Sequence, residues 1–421
     1  MSQEFSSESE MESIQFDLII SGGGPVGLIL ALGLAQQAYQ VVLAEAYQPS
    51  SEAPNSFDGR VLALSHGSMQ LLKKLNLWTD LVENVTEIHH VHVSQKGYLG
   101  LTTLHAEEVD VPALGYSIQS SDLGKVLWKH VQKHPQIRVL CPAQLISFKE
   151  QGSGSQARVQ AEVIEAPESK IEAPESKTRP GHSYQIEAKL IVGADGTDSK
   201  VRKIAGLLLQ EKSYDAVGVI AQIETEFHPS GWSYERFTEQ GPVALLPMGG
   251  HFHKAVMVCP TADIESVKAL DDAEYIALFA SKMGERLGRF TQVSSRVYYP
   301  LKETYVPQMS KGRALLMGNA SHTQHPVAAQ GLNLGIRDIE VFLEHAASVE
   351  DIGEPSGLIA YAKARKPDHE KVMGMTDGLI GIFQHTSPIV GHLRGVGLMA
   401  MQAMPTLKKR FSRFAMGGNR S

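Results

Sequence analysis

The chain has 421 residues, of which 43% are hydrophobic, and a net charge of −7. This length and composition suit a two-domain enzyme with a large core, and the acidic balance argues against nucleic acid as a partner. The two cysteines, Cys141 and Cys259, are too few for a disulfide framework and predict a reducing, cytoplasmic setting. The sequence contains no run of about 18 apolar residues, so no membrane span is predicted. The Ser/Glu-rich residues 1–13 are interpreted as a disordered leader.

A dinucleotide-binding unit is predicted near the amino terminus. In such a unit the first glycine allows a tight turn, the second lets the backbone approach a pyrophosphate, and the third packs helix on strand. A second strand ends at Glu45, whose carboxylate can accept hydrogen bonds from an adenosine ribose. The parts of the unit are the apolar strand Phe16 to Ile20, the glycines Gly22, Gly24 and Gly27, and a helix from Pro25 to Ala38.

A Pro/Ser/Glu/Lys-rich insertion occupies residues 151–183 and contains a tandem duplication, 164–170 followed by 171–177. It lies between two strand-like segments, so it is predicted to be an extended surface hairpin. A longer loop there costs little stability. A docking site is the alternative interpretation.

Two further turns follow buried strands. The first contains Asp195 and Gly196, and taken alone Asp195 predicts a helix cap or turn residue. The second begins at Gly318 and leads into an amphipathic helix with apolar Leu334 and Ile336. Such a loop brings backbone N–H groups and a helix N-terminus to one place, where they can hold an electron-rich heteroaromatic edge.

Together these motifs resemble the aromatic-ring-hydroxylating flavoprotein monooxygenases, and within them the ubiquinone-biosynthesis hydroxylases. The resemblance spans about residues 15–410 and depends on the glycine fingerprint and on segments 57–65, 193–196 and 318–338. It implies an α/β fold with a doubly wound FAD-binding domain like that of p-hydroxybenzoate hydroxylase, an antiparallel-sheet substrate domain and C-terminal helices. The expected FAD domain comprises 14–80, 109–212 and 291–350, the substrate domain 81–108 and 213–290, and the helical region 351–421.

The resemblance also implies the cofactor site. The fingerprint would hold the FAD adenosine and pyrophosphate, the Asp-Gly turn would lie where FAD meets NAD(P)H, and the third motif would hold the ribityl chain and flavin ring. The backbone N–H groups of Leu332 and Asn333 are candidates for stabilising negative charge on the reduced flavin. The cofactor-binding candidates are Gly22, Gly24, Gly27, Glu45, Arg60, Gln119, Asp195, Gly196, Asn319, Gly331, Leu332 and Asn333.

Asn319 is a departure, because most of the wider family has aspartate there. An amide still accepts from a ribityl hydroxyl but lacks the negative charge. The Gly-Asn form is similar to the 2-polyprenyl-6-methoxyphenol hydroxylase (UbiH) branch, as are segments 90–98, 235–242 and 376–379.

The implied reaction uses NAD(P)H as a transient co-substrate and O₂, with a flavin hydroperoxide that transfers oxygen to a prenylated phenol in a water-poor pocket. The sequence identifies no base that deprotonates the phenol. Open alternatives are a sister ring position, a soluble phenol, or a non-catalytic FAD-bearing scaffold of a quinone-biosynthesis complex. A flavin halogenase lacks support, since its Trp-x-Trp-x-Ile motif is not found.

Two other patterns invite interpretation. His322 and His325 are three residues apart, but with no cysteine or third carboxylate nearby they predict loop residues beside the flavin and no metal site. Near the carboxyl terminus, Leu407, Phe411 and Phe414 recur with basic residues between them. That spacing is typical of a helix lying peripherally on an anionic membrane surface or of an ordinary packing helix, and both remain open.

Overall fold

A computed structural model of the protein describes residues 15–48, 60–165, 182–324, 330–384 and 388–417. All twelve predicted cofactor-binding residues fall within these ranges. Parts of four other features of the sequence analysis lie outside them, namely the leader 1–13, the segment Phe57 to Gly59, most of the duplication (166–177) and His325.

The strands are β1 (Gln15–Ser21), β2 (Val41–Ala44), β3 (Val61–Ser65), β4 (Val85–Ile88), β5 (His90–Gln95), β6 (Leu101–His105), β7 (Gly115–Gln119), β8 (Ile137–Leu140), β9 (Ala143–Gln151), β10 (Arg158–Glu165), β11 (Ser183–Gly193), β12 (Gln210–Thr225), β13 (Trp232–Thr238), β14 (Gly241–Pro247), β15 (Phe252–Pro260), β16 (Phe290–Val293), β17 (Val297–Tyr305), β18 (Ser310–Lys311), β19 (Ala314–Leu316) and β20 (His322–Thr323). The α-helices are α1 (Pro25–Gln36), α2 (His66–Lys74), α3 (Trp78–Leu81), α4 (Ser120–Lys133), α5 (Lys200–Ala205), α6 (Ile264–Ala269), α7 (Asp272–Met283), α8 (Gly331–Ala346), α9 (Pro355–Gln384), α10 (Pro388–Ala403) and α11 (Pro405–Ala415). Short 3₁₀ turns occupy Val82–Asn84, Ala106–Val109, Gly154–Gln156, Thr261–Asp263 and Gly318–Ala320.

Five parallel strands form the centre of the first sheet, in the order β19-β11-β1-β2-β8. Along β1, Leu18 and Ile20 pack with α1, α4 and α8, whereas Ile19 packs on the opposite face, as the alternation of a strand requires. That second face is covered by β9, β10 and α5 in place of a second layer of long helices. The predicted α/β fold with C-terminal helices is confirmed.

The helix after the fingerprint, α1, is apolar on all sides. Pro25 occupies its first turn, where a fixed φ and a missing N–H are tolerated. Every residue from Gly27 to Ala35 is buried, because α4 and α8 pack on the helix while β1 and β2 lie beneath it. A helix without a polar face is stable only when it is enclosed in this way.

The second sheet is mostly antiparallel, in the order β20-β17-β12-β15-β14-β13-β5-β6, with β16 also on β12. β12 pairs with β15 along one edge and with β16 and β17 along the other. Residues 290–305 therefore belong to this sheet, whereas the sequence analysis returned the chain to the FAD domain at 291. The alternation of β17 predicts a strand but does not specify which sheet it joins.

The insertion is flanked by paired strands. β10 and β11 run antiparallel, with Ile164 opposite Ser183, and β9 pairs with β10. This is the geometry expected for the arms of a hairpin, whose tip at 166–181 lies outside the described residues.

The chain ends in helices α9, α10 and α11. In the described part of the chain, no helix is both long enough and apolar enough to cross a bilayer.

A buried ionic cluster joins α8 to α9 and to β20. Asp338 is fully buried, and its Oδ1 accepts hydrogen bonds from Arg365 Nε at 2.6 Å and His369 Nε2 at 2.8 Å. Arg365 also pairs with Asp368 at 2.6 Å. Burial opposes ionisation of Asp338, but His369 and Arg365 hold its pKa below the usual range. The carboxylate is therefore ionised and fixes the position of α9 against α8.

We predict that Asp338→Asn destabilises the protein by about 3 kcal/mol, because it removes the fully buried carboxylate that pairs with the Arg365 guanidinium and leaves Asp368 as its remaining carboxylate partner. The matched control is Glu340→Gln, which removes a carboxylate of the same helix whose partner, Lys74, is largely exposed. That change should cost less than about 1 kcal/mol. Urea unfolding of both variants, followed by circular dichroism, checks the difference. Equal effects would contradict the assignment of Asp338.

Candidate functional site

Four chain segments meet at the carboxyl edge of the parallel sheet. Strands β1, β2, β11 and β19 are followed there by the fingerprint, Glu45, the turn with Asp195 and Gly196, and the turn at Gly318. Because parallel strands end at a common edge, motifs that are distant in sequence become neighbours at this edge. It is the edge at which open α/β sheets bind ligands.

Each fingerprint position requires glycine for its own structural reason. Gly22 has a φ of +109°, and a Cβ there would lie 2.4 Å from the Ala194 carbonyl oxygen. A Cβ on Gly27 would lie 2.0 Å from the Gly22 carbonyl oxygen. Gly24 has no atom within 4 Å of its Cβ position. Two glycines thus permit close packing, and Gly24 borders the open space that an approaching pyrophosphate needs.

Glu45 lies directly beneath this turn and is only 8% exposed. Its Oε2 accepts a hydrogen bond from Gly23 N at 2.5 Å, and Oε1 accepts one from Tyr47 N at 2.9 Å. Burial raises the pKa of the carboxyl, and these hydrogen bonds oppose that rise. Glu45 therefore fixes the shape of the fingerprint turn, and its contact with a ribose stays a prediction.

Asp195 has two roles open to it. Its Oδ2 accepts from the backbone N–H groups of Lys200 at 2.8 Å and Val201 at 3.3 Å, which caps the first turn of α5 as the local sequence predicts. Its Oδ1 is buried and has no partner within the described residues. Gly196 beside it has a φ of +80° and open space at its Cβ position. The unpartnered oxygen and the open space suit contact with a bound cofactor.

The turn at Gly318 packs on the fingerprint helix. Cβ atoms on Gly318 and Gly335 would each lie 3.0 Å from the Val26 side chain. This contact brings α1, α8 and the 3₁₀ turn Gly318–Ala320 to one place. Asn319, at the centre of that turn, is exposed.

The start of α8 borders the same edge of the sheet as the fingerprint and the turn at Gly318. Gly331 has open space at its Cβ position, and Leu332 and Asn333 follow in the first helical turn, where backbone N–H groups have no intrahelical acceptor. The Asn333 side chain accepts from Ser65 N at 2.8 Å and donates to Ala63 O at 2.9 Å. This side chain therefore connects α8 to β3.

Arg60 and Gln119 lie side by side at the end of a small third sheet, β3-β7-β4. Gln119 pairs with Val61, and Arg60 O accepts from Ser120 N at 2.7 Å. The Arg60 guanidinium lies 5.8 Å from the centre of the Tyr299 ring on β17. Both side chains are exposed, so they border the same junction between the two large sheets.

His322, which follows the turn at Gly318, is fully buried. Its ring centre lies 4.5 Å from that of His369, and Nδ1 lies 3.8 Å from Asp338 Oδ2. Burial, His369 and Arg365 lower the pKa of His322 to about 3, so the imidazole is neutral. Although these three side chains are close enough to share an ion, Arg365 already supplies the positive charge to Asp338. The geometry fits an ionic network better than a metal site.

An apolar cavity of about 250 Å³ lies between the antiparallel sheet and the start of α8. Gln330 and Asn333 line it on the cofactor side, and Phe411 and Met416 of α11 and its C-terminal cap close it from outside. The sheet contributes an apolar wall that includes Val91, Val93, Leu104, Phe237, Ala244, Leu246, Val256 and Val258. An apolar cavity beside a cofactor edge is the usual form of a ligand site.

A second cavity, of about 230 Å³, has a more polar lining than the first. It is lined by His92, Arg236 and Arg286 among others, and none of the predicted cofactor residues lies on its wall. The apolar cavity is therefore the better candidate for a substrate site.

The position of α11 bears on the two interpretations of its sequence. Phe411 lines the apolar cavity, and Lys408 is buried and pairs with Glu108 at 2.6 Å. These contacts favour a packing helix for this face, while Leu407 is 45% exposed.

Sequence reasoning missed two charged residues of the cavity wall, Glu235 on β13 and Lys254 on β15. The available signal was Ser233-x-Glu235-x-Phe237, which puts a carboxylate on the same face of a strand as an aromatic side chain.

Comparisons with known proteins agree with this geometry. A family model described as FAD binding domain matches residues 15–376. The ubiquinone hydroxylase UbiL of Rhodospirillum rubrum is 28% identical over 95% of this chain and 89% of its own. The 3-demethoxyubiquinol 3-hydroxylase of Escherichia coli is 27% identical over 95% of this chain and 98% of its own.

A solved structure shares the fold. The p-nitrophenol 4-monooxygenase PnpA of Pseudomonas putida superposes with a TM-score of 0.74 at 16% identity, covering 97% of this chain and 100% of that one. The glycine contacts, the unpartnered Asp195 oxygen and the open space at Gly24 and Gly331 fit the cofactor named in the family description. The chain therefore belongs to the FAD-binding-domain family of flavin-dependent monooxygenases, with FAD as its cofactor.

Proposed function

We propose that the protein hydroxylates the aromatic ring of a polyprenylated phenol in ubiquinone biosynthesis, most specifically 2-polyprenyl-6-methoxyphenol, using NAD(P)H and O₂. The observation that carries this proposal is the apolar cavity that adjoins Gln330 and Asn333. A prenylated ring needs an apolar wall, and hydroxylation by a flavin needs a site from which water is excluded. The sheet and α11 supply both. FAD, when bound, supplies the oxygen-transfer chemistry.

The relatives support a role in ubiquinone biosynthesis more directly than they support a particular position of hydroxylation on the ring. Both UbiL and the 3-demethoxyubiquinol 3-hydroxylase are named as hydroxylases of ubiquinone or its precursors. The second name gives a ring position other than the one hydroxylated in 2-polyprenyl-6-methoxyphenol. The choice of 2-polyprenyl-6-methoxyphenol depends on Asn319 and on segments 90–98, 235–242 and 376–379. A sister ring position is the alternative.

Complementation distinguishes these positions. We expect this chain, expressed in a ubiquinone-deficient bacterial strain that lacks the 2-polyprenyl-6-methoxyphenol hydroxylase, to restore ubiquinone and remove the accumulated intermediate, as measured by mass spectrometry. Strains that lack the sister hydroxylases serve as matched hosts. Rescue of only a sister strain would move the assignment to that position, and phenol-stimulated NAD(P)H oxidation would exclude a non-catalytic scaffold.

The cofactor roles predicted from the sequence form part of this proposal. Gly22, Gly24 and Gly27 would hold the pyrophosphate, Glu45 the ribose, and Asp195 and Gly196 the junction with NAD(P)H. Asn319, Gly331, Leu332 and Asn333 would surround the ribityl chain and flavin ring. Arg60 would contact a phosphate or the flavin edge, and Gln119 is a further cofactor-binding candidate.

Gly24→Val tests the pyrophosphate site. Gly24 has an extended φ of −72° and an open Cβ position, so valine fits the apoprotein but fills the space of the ligand. We expect FAD affinity to fall by at least about 100-fold, roughly 3 kcal/mol, with an unchanged circular dichroism spectrum. Gly397→Val is the control, because this glycine on α10 also has an open Cβ position. Flavin absorbance after gel filtration measures both variants, and full FAD retention by Gly24→Val would refute the assignment.

Membrane-surface contact is a further part of the proposal, and α10 favours it more than α11 does. Ile389, Leu393 and Val396 lie on one face of α10 and are 72%, 64% and 56% exposed. Residues 388–417 contain no acidic residue, although the whole chain has a net charge of −7. Exposed apolar side chains on α10, together with the basic residues Lys409, Arg410 and Arg413 on α11, fit an anionic lipid surface. Assembly with other ubiquinone-biosynthesis proteins stays a prediction.

We predict that Leu393→Glu lowers binding to anionic liposomes by about tenfold or more, since it removes an exposed apolar side chain that would insert into the lipid and adds charge repulsion. Ile359→Glu is the control, because Ile359 is similarly exposed on α9. Co-sedimentation with phosphatidylglycerol vesicles measures both. Equal binding by the two variants and the unmodified protein would rule out α10 as the contact.

A further inference from the structure

Glu235 is a carboxylic acid in an otherwise apolar part of the cavity wall. It lies on β13 between Ser233 and Phe237, which line the same cavity. Its neighbours across the sheet are Val93 on β5 and Ala244 on β14, and both also line the cavity. Glu235 also borders the second cavity, but the alternation of the strand puts its side chain on the same face as Ser233 and Phe237. The carboxyl therefore faces the apolar cavity, in which a substrate ring would bind.

This carboxyl has no hydrogen bond or ion pair with any residue in the described ranges, in contrast to Asp338. The side chain is half-buried, and its removal from water raises its pKa to about 7. A buried carboxylate without a partner costs free energy, and buried polar groups usually have partners. A titratable group in a cavity whose pKa is shifted far from its usual value is often a catalytic group.

The other titratable residues of the described wall are less suited to accept a proton. Lys254 on β15 donates to Val61 O at 2.6 Å, and an ammonium group has no acceptor capacity. Burial raises the pKa of Tyr234, so its hydroxyl keeps its proton at neutral pH. The wall residues contributed by β5, β14, α8, α9 and α11 have no titratable side chain.

We propose that the Glu235 carboxylate accepts the phenolic proton of the ring bound in this cavity, a role that rests on the ring hydroxylation proposed above. The O–H bond of the phenol breaks, and a new O–H bond forms on the carboxyl. The electron pair stays on the phenolate oxygen and increases electron density at the ortho and para carbons. Those carbons then react more readily with an electrophilic oxygen.

A base role for Glu235 predicts the direction in which activity changes with pH. Glu235 can accept a proton only when it is ionised, so the fraction of active protein should rise as the pH increases through about 7. A base whose pKa lies near the working pH combines availability with driving force.

The test measures ionisation of the phenol separately from turnover. FAD-loaded protein is mixed under anaerobic conditions with 2-geranyl-6-methoxyphenol, and phenolate formation is followed by difference absorbance from pH 5 to pH 9. We expect the unmodified protein to bind phenolate above about pH 7 and Glu235→Gln to bind the neutral phenol. Under aerobic conditions Glu235→Gln should lower kcat by about 100-fold, while Glu235→Asp, which keeps a carboxylate, restores part of both signals.

Glu239→Gln is the matched control, because Glu239 is an exposed glutamate just beyond β13. It should leave both measurements unchanged. A phenolate signal and pH profile in Glu235→Gln equal to those of the unmodified protein would overturn the role of Glu235 and leave the proposed function intact. Ionisation of the phenol without hydroxylation would support Glu235 and refute the proposed function. No binding of the phenol by the unmodified protein would overturn both.

Discussion

Close backbone packing at the carboxyl edge of the parallel sheet is the constraint on which the rest of the structure depends. Gly22 lies against the Ala194 carbonyl, and Gly318 and Gly335 lie against Val26. Side chains at these glycines would separate the segments, and the open volume beside them would lose its shape. The cofactor site thus depends on glycines, since these backbone groups approach one another only where no Cβ intervenes. Polar side chains such as Glu45 then hold the turns in place.

The third sheet depends on this edge through α8, and the second sheet depends on it through β20. Asn333 connects α8 to β3, while His322 continues from the Gly318 turn into β20, which pairs with β17. The Asp338 cluster adds α9 to the same assembly. The wall of the apolar cavity and the cofactor edge are therefore connected by short covalent and hydrogen-bonded paths. A displacement of α8 would alter both at once.

The sequence predicted the local motifs well because each has a local cause. A fingerprint glycine or an aspartate after a buried strand has the same geometry wherever the strand lies. Partner choice is different, since the alternation of Val297–Tyr305 is the same on either sheet and does not show which sheet this strand joins. The residues that line the cavity were also beyond sequence reasoning, because Glu235 and Phe411 are 176 positions apart and meet only through the sheet and α11. An amphipathic pattern predicts a buried face for α11 but not what that face covers.

Two carboxyl groups, the fully buried Asp338 and the half-buried Glu235, show how their surroundings decide between a structural and a chemical role. Asp338 has Arg365 and His369 as partners, and its pKa lies below the usual range although burial opposes this. Glu235 has apolar neighbours, and burial alone raises its pKa to about 7. The first group stays ionised and can only hold helices together, because its charge never changes under physiological conditions. The second can gain or lose a proton at neutral pH, and its position on the cavity wall puts that change within reach of a bound ring.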